Sequence, residues 1–231
     1  MPYVFTPPNI VSVPVVGIED RFAIHRIYCV GRNYEEHAKE MGFTGREPPF
    51  FFLKPADAAV VVEAGTIGSL PYPSLTKNLH HEIELVVAIG IGGKNIAAAD
   101  AYEHIYGYAV GLDMTRRDLQ SEMKKQGRPW CIGKSFDSSA PIGSITRLAD
   151  AGDMSCAEIY LQVDGKDRQR SNTSQLIWNI AESIETLSAA WELQPGDLIY
   201  TGTPEGVAAV ISGDTLVGGI TGLSSLTIKV S

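Results

Sequence analysis

The chain has 231 residues, with 44% hydrophobic and 20% charged side chains and a formal net charge of −8 at pH 7. These values suit one globular domain, or one domain with an added terminal segment. The negative charge argues against general binding to nucleic acid or anionic lipid, and no apolar run approaches the about 18 residues that a membrane span needs.

The cysteines indicate the compartment. Cys29, Cys131 and Cys156 are odd in number and widely spaced, which argues against a disulfide framework and favours a reducing environment. The N-terminus lacks a basic segment followed by a hydrophobic one, so no export signal is predicted. The sequence therefore predicts a cytoplasmic protein.

The predicted elements begin with a proline-rich segment. Residues 1–26 hold four prolines among valines, a composition typical of an extended arm or an edge strand. The main domain is expected to follow as residues 27–231, starting with a short strand near 27–31.

A short, highly charged helix is predicted next, over residues 34–41. His37 and Glu40 stand three residues apart on it, so their side chains can meet. A histidine held by a carboxylate is the usual arrangement of a general base, because the acid fixes the tautomer and supports the imidazolium. The alternative is a solvated helix face, since several neighbouring residues are also charged.

Two glutamates stand at the head of an apolar run that reads as a buried strand. Because strand side chains alternate between faces, Glu82 and Glu84 share one face, roughly 6–7 Å apart. If that face is solvated, the pattern is ordinary. If it lines a pocket, the two charges need a cation or a raised pKa.

A third acid, Asp113, ends the next apolar run and precedes a predicted helix over residues 115–126. With the two glutamates it would supply three oxygen ligands, a set that favours Mg²⁺ or Mn²⁺ over zinc. Each acid can instead be solvated at a strand edge. His80 and His81 leave zinc or iron open as further alternatives, although we interpret these histidines as structural.

The remaining elements include two helices with recognisable ends. Thr115 and Asp118 form a possible capping box for the helix over 115–126, and residues 174–192 carry apolar side chains at helical spacing. Short strands and turns make up most of the rest. This mixture, without regular alternation of strand and helix, predicts an α+β, β-dominated architecture.

Two later positions are also candidates for the site. Lys134 follows an apolar stretch, where a partly desolvated ammonium can stabilise an oxyanion or enolate; the alternative is a surface lysine. The segment 200–207 is a turn rich in hydroxyls and glycine. Such turns can bind carboxylates or phosphates, although a plain tight turn is more frequent.

In their order along the chain, these pieces resemble the fumarylacetoacetate hydrolase family. The motifs that carry the resemblance are Val30-Gly31-Arg32-Asn33-Tyr34, Phe52-Leu53-Lys54-Pro55, His80-His81-Glu82-Ile83-Glu84-Leu85, Gly111-Leu112-Asp113-Met114-Thr115, Gly133-Lys134-Ser135-Phe136-Asp137 and Thr201-Gly202-Thr203-Pro204-Glu205-Gly206-Val207. Each motif is weak singly, but together they are specific, and they run from about residue 28 to the end of the chain.

The resemblance implies the mixed β-sandwich roll of that family, a homodimer, and a divalent metal, Mg²⁺ or Mn²⁺, held by Glu82, Glu84 and Asp113. It implies a lid helix that carries the catalytic pair His37 and Glu40. The other implied site residues are the catalytic Lys134 facing the metal, the substrate-binding Thr203 and Gln120, and the positively charged Arg32, Lys54 and Arg117 around the pocket.

The same resemblance implies hydrolysis of the carbon–carbon bond of a 3-acylpyruvate, a small 2,4-dioxo acid. The similarity is greatest to single-domain bacterial members, and it implies cleavage of fumarylpyruvate to fumarate and pyruvate in the degradation of aromatic compounds through gentisate. The alternatives are oxaloacetate decarboxylation, isomerisation of a 2-oxo-dicarboxylate, and a non-catalytic binding protein with the same fold.

Overall fold

The computed structural model describes residues 2–36 and 46–231, and the elements below belong to that part of the chain. The strands are β1 (Ser12–Pro14), β2 (Arg21–Ala23), β3 (Ile27–Gly31), β4 (Phe50–Lys54), β5 (Ala59–Val61), β6 (Ile67–Leu70), β7 (Leu79–His80), β8 (Ile83–Ile89), β9 (Ile105–Leu112), β10 (Thr115–Arg116), β11 (Ala140–Ile142), β12 (Thr146–Arg147), β13 (Glu158–Val163), β14 (Lys166–Asn172), β15 (Leu198–Tyr200), β16 (Ala209–Val210), β17 (Thr215–Ile220) and β18 (Leu226–Val230). The α-helices are α1 (Arg117–Lys125), α2 (Cys131–Lys134), α3 (Leu148–Ala151) and α4 (Ile180–Ala190). Short 3₁₀ helices cover Ala56–Ala58, Ala98–His104 and Thr173–Gln175.

The largest sheet has the order β4-β3-β15-β8-β9-β11-β5, with β12 also paired to β9. Its central strands β8 and β9 are antiparallel, and every residue of β8 is buried. Alternate residues of β8 enter two different apolar clusters: Leu85 and Val87 lie in one, and Val86 and Ala88 in the other. Apolar packing on both faces explains why β8 reads as a continuous hydrophobic run.

A second sheet, in the order β14-β13-β17-β18-β6, covers one face of the first. Ile83 and Val110 from the first sheet share a core with Leu161 and Ile228 from the second. Gly218 of β17 permits the close approach, since a Cβ there would lie 2.6 Å from Ile83 Cδ1. The two sheets therefore form a packed sandwich, and a small β10-β7-β16 sheet lies beside the candidate site.

The N-terminal segment forms the antiparallel pair β1 and β2. Val13 and Val15 are buried in the same apolar cluster as Ile27 and Leu198. Residues 12–23 therefore pack on the large sheet rather than extend away from it. The division into residues 1–26 and 27–231 stays a prediction.

The ends of two predicted helices were wrong. Helix α4 begins at Ile180 instead of near residue 174, because Asn179 and Glu182 form a reciprocal capping box at this later point. Thr115 does not cap α1: its hydroxyl donates to Asp113 O at 3.1 Å. Asp118 instead accepts from Thr76 Oγ1 at 2.6 Å and from a loop amide.

Candidate active site

Three carboxylates meet where the start of β8 lies beside the end of β9. Glu84 lies in β8 opposite Gly111 of β9, and Asp113 directly follows β9. The Asp113 amide donates to Glu82 O at 2.9 Å, which ties the two strand ends together. Glu82, Glu84 and Asp113 are buried, and one ligand oxygen from each lies within 4.8 Å of the others. The strand pairing thus brings together three acids that the sequence separates.

The turn after β15 supports Glu84. The Gly202 amide donates to Glu84 Oε2 at 2.8 Å. Gly202 has φ +102°, and a Cβ there would lie 2.7 Å from Asn33 Cβ, so glycine is required. Asn33 is buried and donates to Thr201 O at 2.8 Å. This contact fixes the turn against the end of β3 and aims its amide at the carboxylate.

Lys134, the last residue of α2, contacts two of the acids directly. Its Nζ lies 2.7 Å from Glu82 Oε2, 2.6 Å from Asp113 Oδ2 and 2.7 Å from Thr115 Oγ1. Burial lowers the pKa of this ammonium, but the carboxylates of Asp113 and Glu82 outweigh that effect, so the pKa is raised. Lys134 is therefore a buried cation within the carboxylate group.

Lys54 departs from its predicted place around the pocket. Its side chain is fully buried, with Nζ 2.8 Å from Asp113 Oδ1 and within 3.4 Å of Met114 O, and it also donates to Lys134 O. It is absent from the residues that line the pocket. The substrate-binding role stays a prediction from the resemblance; β4 places the ammonium against Asp113 and the end of α2, which favours a role in orienting that carboxylate.

Arg117 and Gln120 approach the acids from α1. The Arg117 guanidinium pairs with Glu82 Oε1 and donates to Gln120 Oε1 at 2.6 Å. Both side chains line the pocket. Arg116 turns away, with its guanidinium carbon 4.3 Å from the centre of the Phe136 ring. The two adjacent arginines therefore have different surroundings.

The two histidines beside Glu82 serve as supports. His80 Nε2 lies 2.9 Å from Asn78 Oδ1, and Arg117 Nε lies 3.4 Å from His80 Nδ1. Burial and the Arg117 charge lower the pKa of His80 to about 4. His81 is buried against Gln169, with 2.9 Å between Nδ1 and Oε1. Neither histidine belongs to the metal-binding group found within the described residues.

The three acids line one pocket together with Arg32, Trp130 and Thr203. The Arg32 guanidinium carbon lies 5.2 Å from the centre of the Phe50 ring and 6.0 Å from that of Trp130. The pocket thus combines three carboxylates with a cation that lies beside two aromatic rings.

The electrostatics of the acids fit a divalent cation. Burial raises the pKa of Glu84 well above its ordinary range, and the charges of Asp113 and Glu82 raise it further. Within residues 2–36 and 46–231, Glu84 has no cationic side chain paired with it. A hard divalent ion takes carboxylate oxygens, and its charge would offset this shift by stabilising the ionised form. The donor set therefore fits Mg²⁺ or Mn²⁺ without a histidine or cysteine.

Two predicted catalytic residues, His37 and Glu40, lie outside the described residues. The chain leading to them is described as far as Glu36, four residues past Arg32 of the pocket wall.

Gln169 is a residue that the sequence reasoning missed. It lies in the polar strand β14 and contacts both His81 and Thr203, and no motif marked it.

Comparison with known proteins identifies the family. The profile of the fumarylacetoacetate (FAA) hydrolase C-terminal family matches residues 26–231, and the chain belongs to this family. The crystal structure of fumarylpyruvate hydrolase from Pseudomonas aeruginosa in complex with Mn²⁺ and pyruvate is 56% identical, with a TM-score of 0.97 over 99% of both chains.

Two curated relatives carry different activities. A fumarylpyruvate hydrolase of a Ralstonia species is 44% identical over 184 residues, which are 80% of this chain and 93% of the relative. A mitochondrial oxaloacetate tautomerase of Rattus norvegicus is 42% identical over 204 residues, 88% of this chain and 90% of the relative. The predicted family and β-dominated fold are therefore confirmed, and the chain is an enzyme of this family.

No helix in the described ranges is long and apolar enough to cross a membrane.

Proposed function

We propose that this enzyme hydrolyses the carbon–carbon bond of a 3-acylpyruvate, with fumarylpyruvate as its substrate and pyruvate and fumarate as its products. The observation that carries the proposal is a buried three-carboxylate group that lines a pocket together with Arg117, Gln120 and Thr203. A 56% identical relative with the same fold was crystallised with Mn²⁺ and pyruvate, which supports binding of a 2-oxo acid in this pocket.

In this proposal Glu82, Glu84 and Asp113 hold Mn²⁺ or Mg²⁺. Such an ion, when bound, supplies Lewis-acid polarisation of the oxo-acid end. Arg117, Gln120 and Thr203 bind that end through charge and hydrogen bonds from the pocket wall. Lys54 orients Asp113 from behind, so its role is positioning rather than contact with substrate.

The proposed reaction needs one base and one site of charge stabilisation. His37, oriented by Glu40, takes a proton from water while the water oxygen attacks the distal carbonyl carbon. The bond between that carbon and C3 breaks, and its electron pair moves to the pyruvate fragment as an enolate. The Lys134 ammonium stabilises this negative charge, and protonation at C3 then gives pyruvate.

A second candidate is a reaction of oxaloacetate, which the tautomerase relative favours. Tautomerisation and decarboxylation of oxaloacetate pass through an enolate of the same 2-oxo acid unit and need no attacking water. Isomerisation of a 2-oxo-dicarboxylate is a related alternative. These reactions would use the carboxylate group and Lys134 but not a base that activates water.

The deciding experiment compares substrates directly. Purified enzyme with Mn²⁺ or Mg²⁺ is given fumarylpyruvate, acetylpyruvate and oxaloacetate separately, and kcat/KM is measured for each. We expect cleavage of fumarylpyruvate to have the highest value. A higher value for oxaloacetate would replace the proposal by the second candidate, and no metal-dependent conversion of any of them would restore the non-catalytic alternative.

Arg32 provides a test of the proposed acyl group. Held against Phe50 and Trp130, its guanidinium is placed to pair with the distal carboxylate of fumarylpyruvate. We expect Arg32→Met to lower kcat/KM for fumarylpyruvate by about 10- to 100-fold, the value of a hydrogen bond to a charged group. The kcat/KM for acetylpyruvate, which lacks that carboxylate, should change less than threefold. Equal losses for the two substrates would contradict this assignment.

Location and assembly belong to the same proposal. All three cysteines are free thiols rather than disulfides, which supports a reducing, cytoplasmic environment. The homodimer remains a prediction from the family resemblance, as does a role in aromatic degradation through gentisate.

A further inference from the structure

Gln169 lies where the second sheet meets the candidate site. It belongs to β14 and is buried, although it stands among exposed charged residues. Its Oε1 lies 3.1 Å from the Ile83 amide and 2.9 Å from His81 Nδ1. Its Nε2 lies 2.8 Å from Pro204 O and 2.8 Å from Thr203 Oγ1. One amide therefore makes four contacts.

Two backbone groups fix the direction of this amide. The Ile83 N–H can only donate, so the side-chain atom facing it is the oxygen. The Pro204 carbonyl can only accept, so the atom facing it is the nitrogen. A flipped amide would place two donors together at Ile83 and two acceptors together at Pro204. Both hydrogens of Nε2 are thus committed, one to Pro204 O and one to Thr203 Oγ1.

The same logic sets the histidine tautomer. Because Gln169 Oε1 is an acceptor, His81 Nδ1 carries the hydrogen. The oxygen then has both of its acceptor positions used, by His81 and by Ile83. His81 therefore holds the amide in one orientation without contacting the pocket itself.

The direction of the Thr203 hydroxyl follows. Its oxygen accepts from Gln169, and its hydrogen has no acceptor within residues 2–36 and 46–231. Thr203 lines the pocket, so the hydroxyl hydrogen is available to a bound acceptor there. A carboxylate or enolate oxygen is such an acceptor.

We propose that Gln169 is a positioning residue that fixes the polarity of Thr203, so that this hydroxyl donates to the anionic oxo-acid end of the substrate. This inference rests on the proposed function, since it takes a 2-oxo acid as the ligand of the pocket. Gln169 acts through Thr203 and touches no substrate.

The substitution Gln169→Glu tests this role, because it keeps the shape of the side chain but would reverse the direction of the Thr203 hydroxyl. A glutamic acid has at most one hydrogen where the amide has two. In Gln169→Glu, an ionised side chain has no hydrogen to give, and a protonated one gives its single hydrogen to Pro204 O, which can only accept. In both cases Thr203 donates to the new side chain and presents lone pairs to the pocket. We expect this variant to bind pyruvate about 10- to 100-fold more weakly in the presence of saturating Mn²⁺, measured by calorimetry together with Mn²⁺ affinity and melting temperature.

The double mutant separates positioning from a general structural effect. Thr203→Val alone should weaken pyruvate binding by a similar factor. When Thr203→Val is added to Gln169→Glu, pyruvate affinity should fall by less than a further threefold, because the hydroxyl already fails to donate into the pocket. If Gln169→Glu does not fold, Gln169→Met replaces it in the same cycle. Methionine leaves the hydroxyl direction unfixed instead of reversed, so Gln169→Met alone should weaken pyruvate binding less than Gln169→Glu, and in a Thr203→Val background it should cost less than threefold.

The results separate the positioning role of Gln169 from the proposed function of the enzyme. Losses that multiply in the double mutant would overturn the positioning role and leave the proposed function intact. Absence of pyruvate binding by the wild-type enzyme with Mn²⁺ would overturn the proposed function and this inference together.

Discussion

Replacing Glu84 by glutamine is expected to abolish metal-dependent turnover and to weaken Mn²⁺ binding at least about 100-fold. Substitution of groups that only support a metal ligand already costs about 10- to 100-fold, and Glu84 is itself a proposed ligand. Glutamine keeps the shape, so the Gly202 amide can still donate to the side-chain oxygen. The change removes one negative charge from a buried group of three.

Calorimetric titration with Mn²⁺ and assay of fumarylpyruvate cleavage measure the two effects. Exposed Glu103, in the 3₁₀ helix Ala98–His104, provides the matched control, because Glu103→Gln removes the same charge from a side chain that does not line the pocket. Wild-type Mn²⁺ affinity in Glu84→Gln would rule out Glu84 as a ligand. Because burial raises the pKa of Glu84 above its ordinary value of 4.5, ionising it costs stability as the pH rises above that value; the metal-free variant should therefore melt at a higher temperature than metal-free wild type above pH 4.5.

Replacing Lys134 by methionine is expected to separate metal binding from turnover. The ammonium contacts Glu82 and Asp113 and adds a positive charge beside the proposed cation. Its removal should leave Mn²⁺ affinity unchanged or increased, since one repulsion is lost. The kcat should fall about 100- to 1000-fold, the typical cost of losing one group that stabilises a developing oxyanion.

The same two measurements, with Lys166→Met as the control, test this assignment. Lys166 is exposed at the start of β14. A fall in Mn²⁺ affinity as large as that of Glu84→Gln would show that Lys134 only maintains the shape of the carboxylate group. A kcat within threefold of wild type would remove Lys134 from the proposed reaction.

The positions of the acids could be predicted because their surroundings are local. Glu84 stands in an apolar run that must be a buried strand, and Asp113 ends the neighbouring run, so antiparallel pairing of two adjacent strands brings them together. That pairing is observed between β8 and β9. The sequence pattern therefore named the three acids as a candidate group, and the family resemblance supplied their role as metal ligands.

Lys54 and Gln169 could not be placed in this way. Whether Lys54 faces the pocket or the back of Asp113 depends on how β4 and α2 pack, and no periodicity reports that contact. Gln169 stands in a strand with charged neighbours, so its burial arises only when the second sheet meets the turn after β15. Gly206 of that turn approaches the Arg168 carbonyl so closely that a Cβ would clash with it.

Helix ends were mispredicted for a related reason. A capping box is a local pattern, but Thr115 has a stronger use for its hydroxyl, which contacts Lys134 at 2.7 Å. Asp118 holds a neighbouring loop through Thr76. Where a side chain takes part in the candidate site, its tertiary contacts override the local preference.

The contact between Gly202 and Glu84 joins residues 118 positions apart, whereas Lys134 and Glu82 are 52 apart. During synthesis, the three carboxylates and Lys134 are complete well before the strand and turn that carry Gly202 and Thr203. A chain that ends before residue 198 would contain every proposed metal ligand but neither the amide that holds Glu84 nor the hydroxyl that faces the pocket. The proposed capacity to bind a 2-oxo acid therefore depends on a strand and a turn that are synthesised long after the carboxylates.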